Sequence, residues 1–164
     1  MSLLDKETVK RAEKALKNFD KSLSVIVLDK SAHTAHDAAS SLSCEVGAIV
    51  KSLLFRTEDS FILSLVAGDK RCSLNKLKKI TNKKDISMAT PEDVKNQTGY
   101  TIGGVSPVGH LKLVKILIDN SLERFIDLYA AAGHSNCVFK INFKNLQKIT
   151  NGEIKELIEW NSLR

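Results

Sequence analysis

A mixed α/β fold in a single domain is what this sequence predicts, on three observations. Apolar or β-branched runs of strand length recur: SVIVLD at Ser24 to Asp29, IVKSLLF at Ile49 to Phe55 and FILSLVA at Phe61 to Ala67. Amphipathic stretches with capping residues stand between and around them. The two kinds of segment do not alternate strictly as strand, helix, strand. A mixed β-sheet or partly closed barrel with surrounding helices therefore fits best. The 164 residues suit one domain, 1–164, and no repeat, low-complexity tract or linker divides them.

In order along the chain, Val9, Ala12, Leu16 and Phe19 form a stripe at helical spacing, so a helix is expected from about Asp5. Residues 1–30 thus read as helix and strand. Thr34 suits the cap of a short helix, with Asp37 in its first turn and Ala35, Ala38, Ala39 and Leu42 on its apolar side. The polar stretch Arg56 to Ser60 joins the two longest apolar runs as a hairpin. Leu74, Leu77 and Ile80 mark a basic helix. Thr90-Pro91-Glu92-Asp93 combines a cap, a proline at the first helical position and acids at the positive dipole end, and Gly99 suits the helix stop. Leu113 to Asp119 and Val138 to Phe143 read as strands. Thr150 with Glu153 resembles a capping box, which predicts a C-terminal helix over 151–164.

Composition narrows the setting. The longest apolar stretches are too short to span a bilayer, and Met1 to Phe19 lacks the apolar core of a secretory signal. Cys44, Cys72 and Cys137 are odd in number and widely spaced, which points to a reducing cytoplasm rather than a disulfide framework. Net charge is +6. The run from Lys70 to Lys84, which includes Arg71, Lys78 and Lys79, holds no acid. It reads either as an electrostatic footprint for a polyanion or as a solvated helix face.

Four features bear on chemistry. Lys51 interrupts IVKSLLF, and it either faces a cleft or snorkels from an edge strand. Gly103-Gly104-Val105-Ser106-Pro107 offers backbone N–H groups to a ligand, or is an ordinary glycine-rich turn. It matches neither a Walker A loop nor a dinucleotide fingerprint. Gly133-His134-Ser135 follows three alanines and reads as a close-packed site or a strand connection. His33 and His36 lack the glutamate of HExxH, so no metal or other cofactor is expected.

Taken together, TAHDAASSL at Thr34, IVKSLLF at Ile49, TGYTIGGVSPVGH at Thr98, LIDNSL at Leu117 and AAGHSNCVF at Ala131 resemble the YbaK-type family. This family is also called the prolyl-tRNA synthetase-associated editing domain. The resemblance runs from about Ser31 to Thr150 and implies a mixed α/β fold with an editing pocket. It implies hydrolysis of the ester joining a wrong amino acid to the 3′-terminal adenosine of a tRNA, here tRNA(Pro) carrying Ala, Ser, Thr or Cys. The family's lysine falls on Lys51 and its GxxxP loop on Gly103 to Pro107. Its glycine-histidine pair falls on Gly133 and His134, with Ser135 where many relatives have proline.

On that basis Lys51, Gly104, Val105 and Ser106 are the expected catalytic residues. Thr34, Ser52, Gly103, Pro107, Gly133, His134 and Ser135 are expected around the substrate. Lys70, Arg71, Lys78 and Lys79 are expected on tRNA. Prolyl-tRNA synthetase is a further expected partner. The alternative is a non-catalytic module that binds aminoacyl-tRNA or RNA in translation.

Overall fold

The computed structural model describes residues 2–30 and 32–159. In chain order the elements are α1 (Glu7–Phe19), β1 (Ile26–Val27), α2 (Ala35–Leu42), β2 (Ile49–Thr57), β3 (Phe61–Ala67), β4 (Arg71–Cys72) and α3 (Leu74–Thr81). There follow β5 (Ile86–Met88), α4 (Pro91–Thr98), β6 (Lys115–Asp119), β7 (Leu128–His134), β8 (Cys137–Ile141), α5 (Phe143–Thr150), β9 (Glu153–Lys155) and β10 (Ile158–Glu159). None of these helices is long and apolar enough to cross a membrane.

The hairpin read from the two apolar runs is the centre of the sheet. β2 and β3 pair antiparallel from Val50 opposite Ala67 to Arg56 opposite Phe61. The turn is closed by Thr57, whose Oγ1 accepts the Ser60 N–H at 2.9 Å. The strand order is β1-β8-β7-β2-β3-β6-β9, with β5 also beside β2, so the mixed sheet is open rather than a closed barrel. β2 meets β7 in parallel only at Ile49 and Val50, then meets β5 antiparallel from Phe55 to Thr57. Between those contacts, over Lys51 to Leu53, that edge of β2 has no strand in register among the described residues.

Side chains alternate along β2. Val50 and Leu54 enter the main core with Val9, Ala12 and Leu16 of α1. On the other face Ile49 packs with Ala38 and Ala39 of α2, while Phe55 packs with Leu77 of α3. Two helices thus cover that face in separate patches, and Lys51 falls between them.

Several sequence expectations change. The strand at Ser24 to Asp29 shortens to Ile26–Val27. The region 151–159 is not helical. Thr150 ends α5, its Oγ1 donating to Leu146 O at 2.8 Å, and Asn151 turns the chain at φ 53°. β9 then adds in parallel to β6, leaving Ile154 exposed, and β10 pairs with β4. The buried Asp119 carboxylate accepts the Leu157 N–H at 2.6 Å and fixes this tail. The rest of the expected helix, 160–164, lies outside the described residues.

Candidate active site

The gap over Lys51 to Leu53 opens into a cleft of about 350 Å³. Its walls come from distant parts of the chain: the start of α2, β2, the turn before Val105, and β7 with β8. Small side chains set its bore, since Ala32, Ala35, Ala38, Ala130 and Ala131 all line it. Thr34 stands at its rim, its Oγ1 accepting the Asp37 N–H at 3.1 Å as the cap of α2. Ser52 is on the wall with a buried Oγ that has no hydrogen-bond partner among the described residues.

Lys51 is half-buried on a strand that is interior to the sheet but open along one edge at this position, and it lines the cleft there. Its Nζ donates to the carbonyl of Lys70 at 2.5 Å. Burial pulls its pKa below the ordinary lysine value; Cys72, where it is ionised, and the Asp69 carboxylate oppose that. The Asp69 carboxylate is itself held by Arg124 at 2.8 and 3.1 Å, and that partner lowers its pKa. A chain of contacts therefore runs from Arg124 through Asp69 and the turn at Gly68 to Lys70 to the ammonium on the cleft wall.

Of the expected residues, the fold brings Lys51, Ser52, Thr34, Gly103, Val105 and Ser135 to one cleft. Gly104, Ser106, Pro107, Gly133 and His134 lie off its lining. Gly104 is not open to ligand, as its sequence setting suggests. A Cβ there would lie 3.0 Å from His134 Cα, and its own N–H is donated to Thr101 O at 2.9 Å. Gly133, at φ +91°, abuts Thr8 of α1, where a Cβ would lie 2.5 Å from the carbonyl oxygen. Its two unusual properties, the positive φ and the close approach, both demand glycine. His134 Nδ1 accepts the Asn136 N–H at 3.0 Å and shapes the turn between β7 and β8. Ser106 is fully buried.

The rest of the loop is bolted down by Arg11 of α1 and by Tyr100 and His110, which lie within the segment Thr98 to His110. Arg11 donates from Nε to Gly109 O at 2.7 Å and its guanidinium lies 4.5 Å from the Tyr100 ring centre. The Tyr100 hydroxyl, whose pKa burial raises to about 12, donates to Val108 O at 2.7 Å. His110 Nε2 donates to Ser106 O at 2.6 Å. Arg11, one of four cations on α1, gave no signal in the sequence. Tyr129 and Ile102, both on the cleft, gave none.

The basic run divides. Lys70 and Arg71 border a second cavity beside Lys51. Lys78 and Lys79 lie on α3, off both cavities. Lys83 pairs with Asp59 at 2.8 Å, and Lys76 lies 3.7 Å from Glu156, so part of the charge is matched within the molecule. The cysteines are free thiols, and among the described residues no group of three or more His, Cys, Asp or Glu is placed to hold a metal ion.

Comparisons with known proteins agree with this architecture. Residues 29–149 match the model of the aminoacyl-tRNA editing domain. A Bacillus subtilis protein without assigned function, YwhH, is 33% identical over 131 residues, covering 79% of this chain and 83% of that one. The proline–tRNA ligase of the same organism is 29% identical over 126 residues, which are 77% of this chain but only 22% of the ligase. The chain thus spans about a fifth of that enzyme. A crystal structure described provisionally as a trans-editing enzyme for prolyl-tRNA synthetase shares 35% identity with a TM-score of 0.89, covering 94% of this chain and 98% of that one. With most of its length matched, the chain belongs to the aminoacyl-tRNA editing domain family.

Proposed function

We propose that the protein is a trans-acting deacylase that hydrolyses the ester of misacylated tRNA, with tRNA(Pro) carrying a small wrong amino acid as substrate. The observation that carries this reading is the cleft itself: a cavity of about 350 Å³ with one ammonium, Lys51, among mostly small and apolar side chains. An aminoacyl ester is reactive enough that orientation and charge stabilisation suffice. Water attacks the carbonyl carbon, and the bond to the ribose oxygen breaks. The water's proton passes to that oxygen, releasing free amino acid and intact tRNA. Lys51 stabilises the charge that develops on the acyl group or holds the phosphate of the terminal adenosine. Gly103 and Val105, the glycine-loop residues on the cleft wall, offer their backbone to the substrate, since the Gly104 amide is engaged with Thr101. Ser106, Pro107, Gly133 and His134 support that wall from behind.

Selection among amino acids rests on volume. The larger lining residues Ile102, Tyr129 and Leu53 set the limit for Ala, Ser, Thr or Cys, and each added methylene that clashes costs about 1–3 kcal/mol. The test is a deacylation screen of the purified protein over tRNA(Pro) charged with Ala, Ser, Thr, Cys and Pro. Catalytic release of at least one small amino acid, with Pro-tRNA(Pro) spared, is the expected result. Tight retention of every charged tRNA without turnover would instead establish a binding module. The similarity to proline–tRNA ligases supports prolyl-tRNA synthetase as a further partner.

A further inference from the structure

Lys51 and Leu53 line not one cavity but two. Behind the narrow cleft, on the side of α3, lies a second space of about 380 Å³. Both volumes fall in the range of roughly 300–1,000 Å³ typical of small-ligand sites. Their linings differ: the first has five alanines, whereas the second carries Lys70, Arg71 and Asp69 together with Leu74 and Met88. Its single carboxylate, Asp69, is already gripped by the Arg124 guanidinium. On the wall itself the cations Lys51, Lys70 and Arg71 outnumber the one carboxylate, with Glu159 opposite Arg71 in the β4–β10 pair. Met88 is 56% exposed and Leu74 is 40% exposed, so an apolar shelf stands open beside those cations.

A flat apolar face joined to a negative charge is the chemistry of a nucleotide. We infer that the second cavity is a subsite for the single-stranded nucleotide that precedes the terminal adenosine at the 3′ end of the tRNA. This rests on the functional reading above and adds a second binding position to it. The base lies against Met88 and Leu74; a thioether makes favourable contacts with an aromatic ring. The phosphodiester linking the two nucleotides passes Lys51, which separates the cavities, and the preceding backbone runs toward Arg71. Lys78 and Lys79 on α3 lie further along the same helix that begins at Leu74.

The experiment uses ligands that carry no amino acid, so it does not depend on turnover. The affinities of the full chain for the trinucleotide CCA and for adenosine monophosphate are compared by titration, in wild type and in Met88→Glu, with Met88→Leu as the conservative control. Wild type should bind CCA at least about tenfold tighter than the mononucleotide, with affinity falling as salt rises. Met88→Glu should erase that advantage and Met88→Leu should keep it. Leu74→Glu, at a second exposed position, should act like Met88→Glu if that variant folds poorly. Equal affinity of wild type for the two ligands, or an unchanged CCA advantage in the folded Glu variants, overturns the subsite. Absence of deacylation in the tRNA screen would count against the enzymatic reading alone.

Discussion

Gly103 stands on the cleft wall with open space around it, whereas Gly104, one residue on, is pressed against the backbone of Gly133 and His134. The same contrast separates the whole wall from the layer behind it. Lys51, Thr34, Gly103 and Ser135 border the open cleft. Gly104, Ser106, Tyr100, His110 and Arg11 interlock through buried backbone contacts and tie the loop to α1. The wall supplies chemistry, and the layer behind supplies its position. Loops that carry function on a rigid scaffold follow this division generally.

The contrast is broken most severely at Lys51. Lys51→Ala should lower single-turnover deacylation by about two orders of magnitude or more, the loss expected when a charged group stabilising the transition state is removed. Its melting temperature should stay close to wild type. Lys51→Arg should also be slow, because a planar guanidinium does not replace a compact ammonium in a narrow cleft. A folded Lys51→Ala protein with the wild-type rate would remove the lysine from the mechanism.

Gly104→Val tests the layer behind. Its side chain would meet β7 backbone rather than a flexible side chain, and overpacking of this kind costs about 1–3 kcal/mol. Urea unfolding should show that loss directly, and activity should fall with it because the wall shifts. Unchanged stability would mean that the loop moves freely and that the two layers are not distinct.

The smallest effect concerns His110. Burial, helped by the nearby Arg11 charge, holds its pKa below the ordinary 6.5, although its bond to Ser106 O works the other way. The folded protein thus prefers the neutral ring, while the unfolded chain takes up a proton near 6.5. This contribution to stability is full above pH 6.5 and is lost as pH falls through the depressed folded value. His110→Gln should flatten the urea stability profile below pH 6.5, and an unaltered slope would show that the ring does not couple to the fold.

Local signals were legible where one residue type has one job. Thr34 and Thr90 cap their helices as their positions suggest, Pro91 opens α4, and Gly99 closes it at φ +80°. The central hairpin followed from two long apolar runs. The end of the chain was misread because Thr150 and Glu153 fit a capping box while Ile154, Leu157 and Ile158 fit a helical face. The competing signal was present: Phe143, Leu146 and Ile149 share a helical face, and Asn142 caps it by accepting the Asn145 N–H at 2.8 Å. For the site, Lys51 stood out because a charge in an apolar run demands an explanation. The alanines of the bore and Tyr129 carry no such signal, since their placement depends on strand neighbours far away in sequence. The packing of Gly104 onto Gly133 is likewise a tertiary fact, invisible to local pattern.

The brief parallel contact of β2 with β7 has a kinetic consequence. Ile49 meets Tyr129, and Val50 meets Ala130, across about eighty residues of chain. The β2–β3 hairpin is local and closes at small entropic cost, whereas the parallel pairing must first gather a long loop. Both Tyr129 and Ala130 line the cleft. Completion of the cleft therefore requires a long-range contact as well as the local hairpin. A chain with its hairpin formed and β7 undocked would hold Lys51 on its strand with one side of its pocket missing.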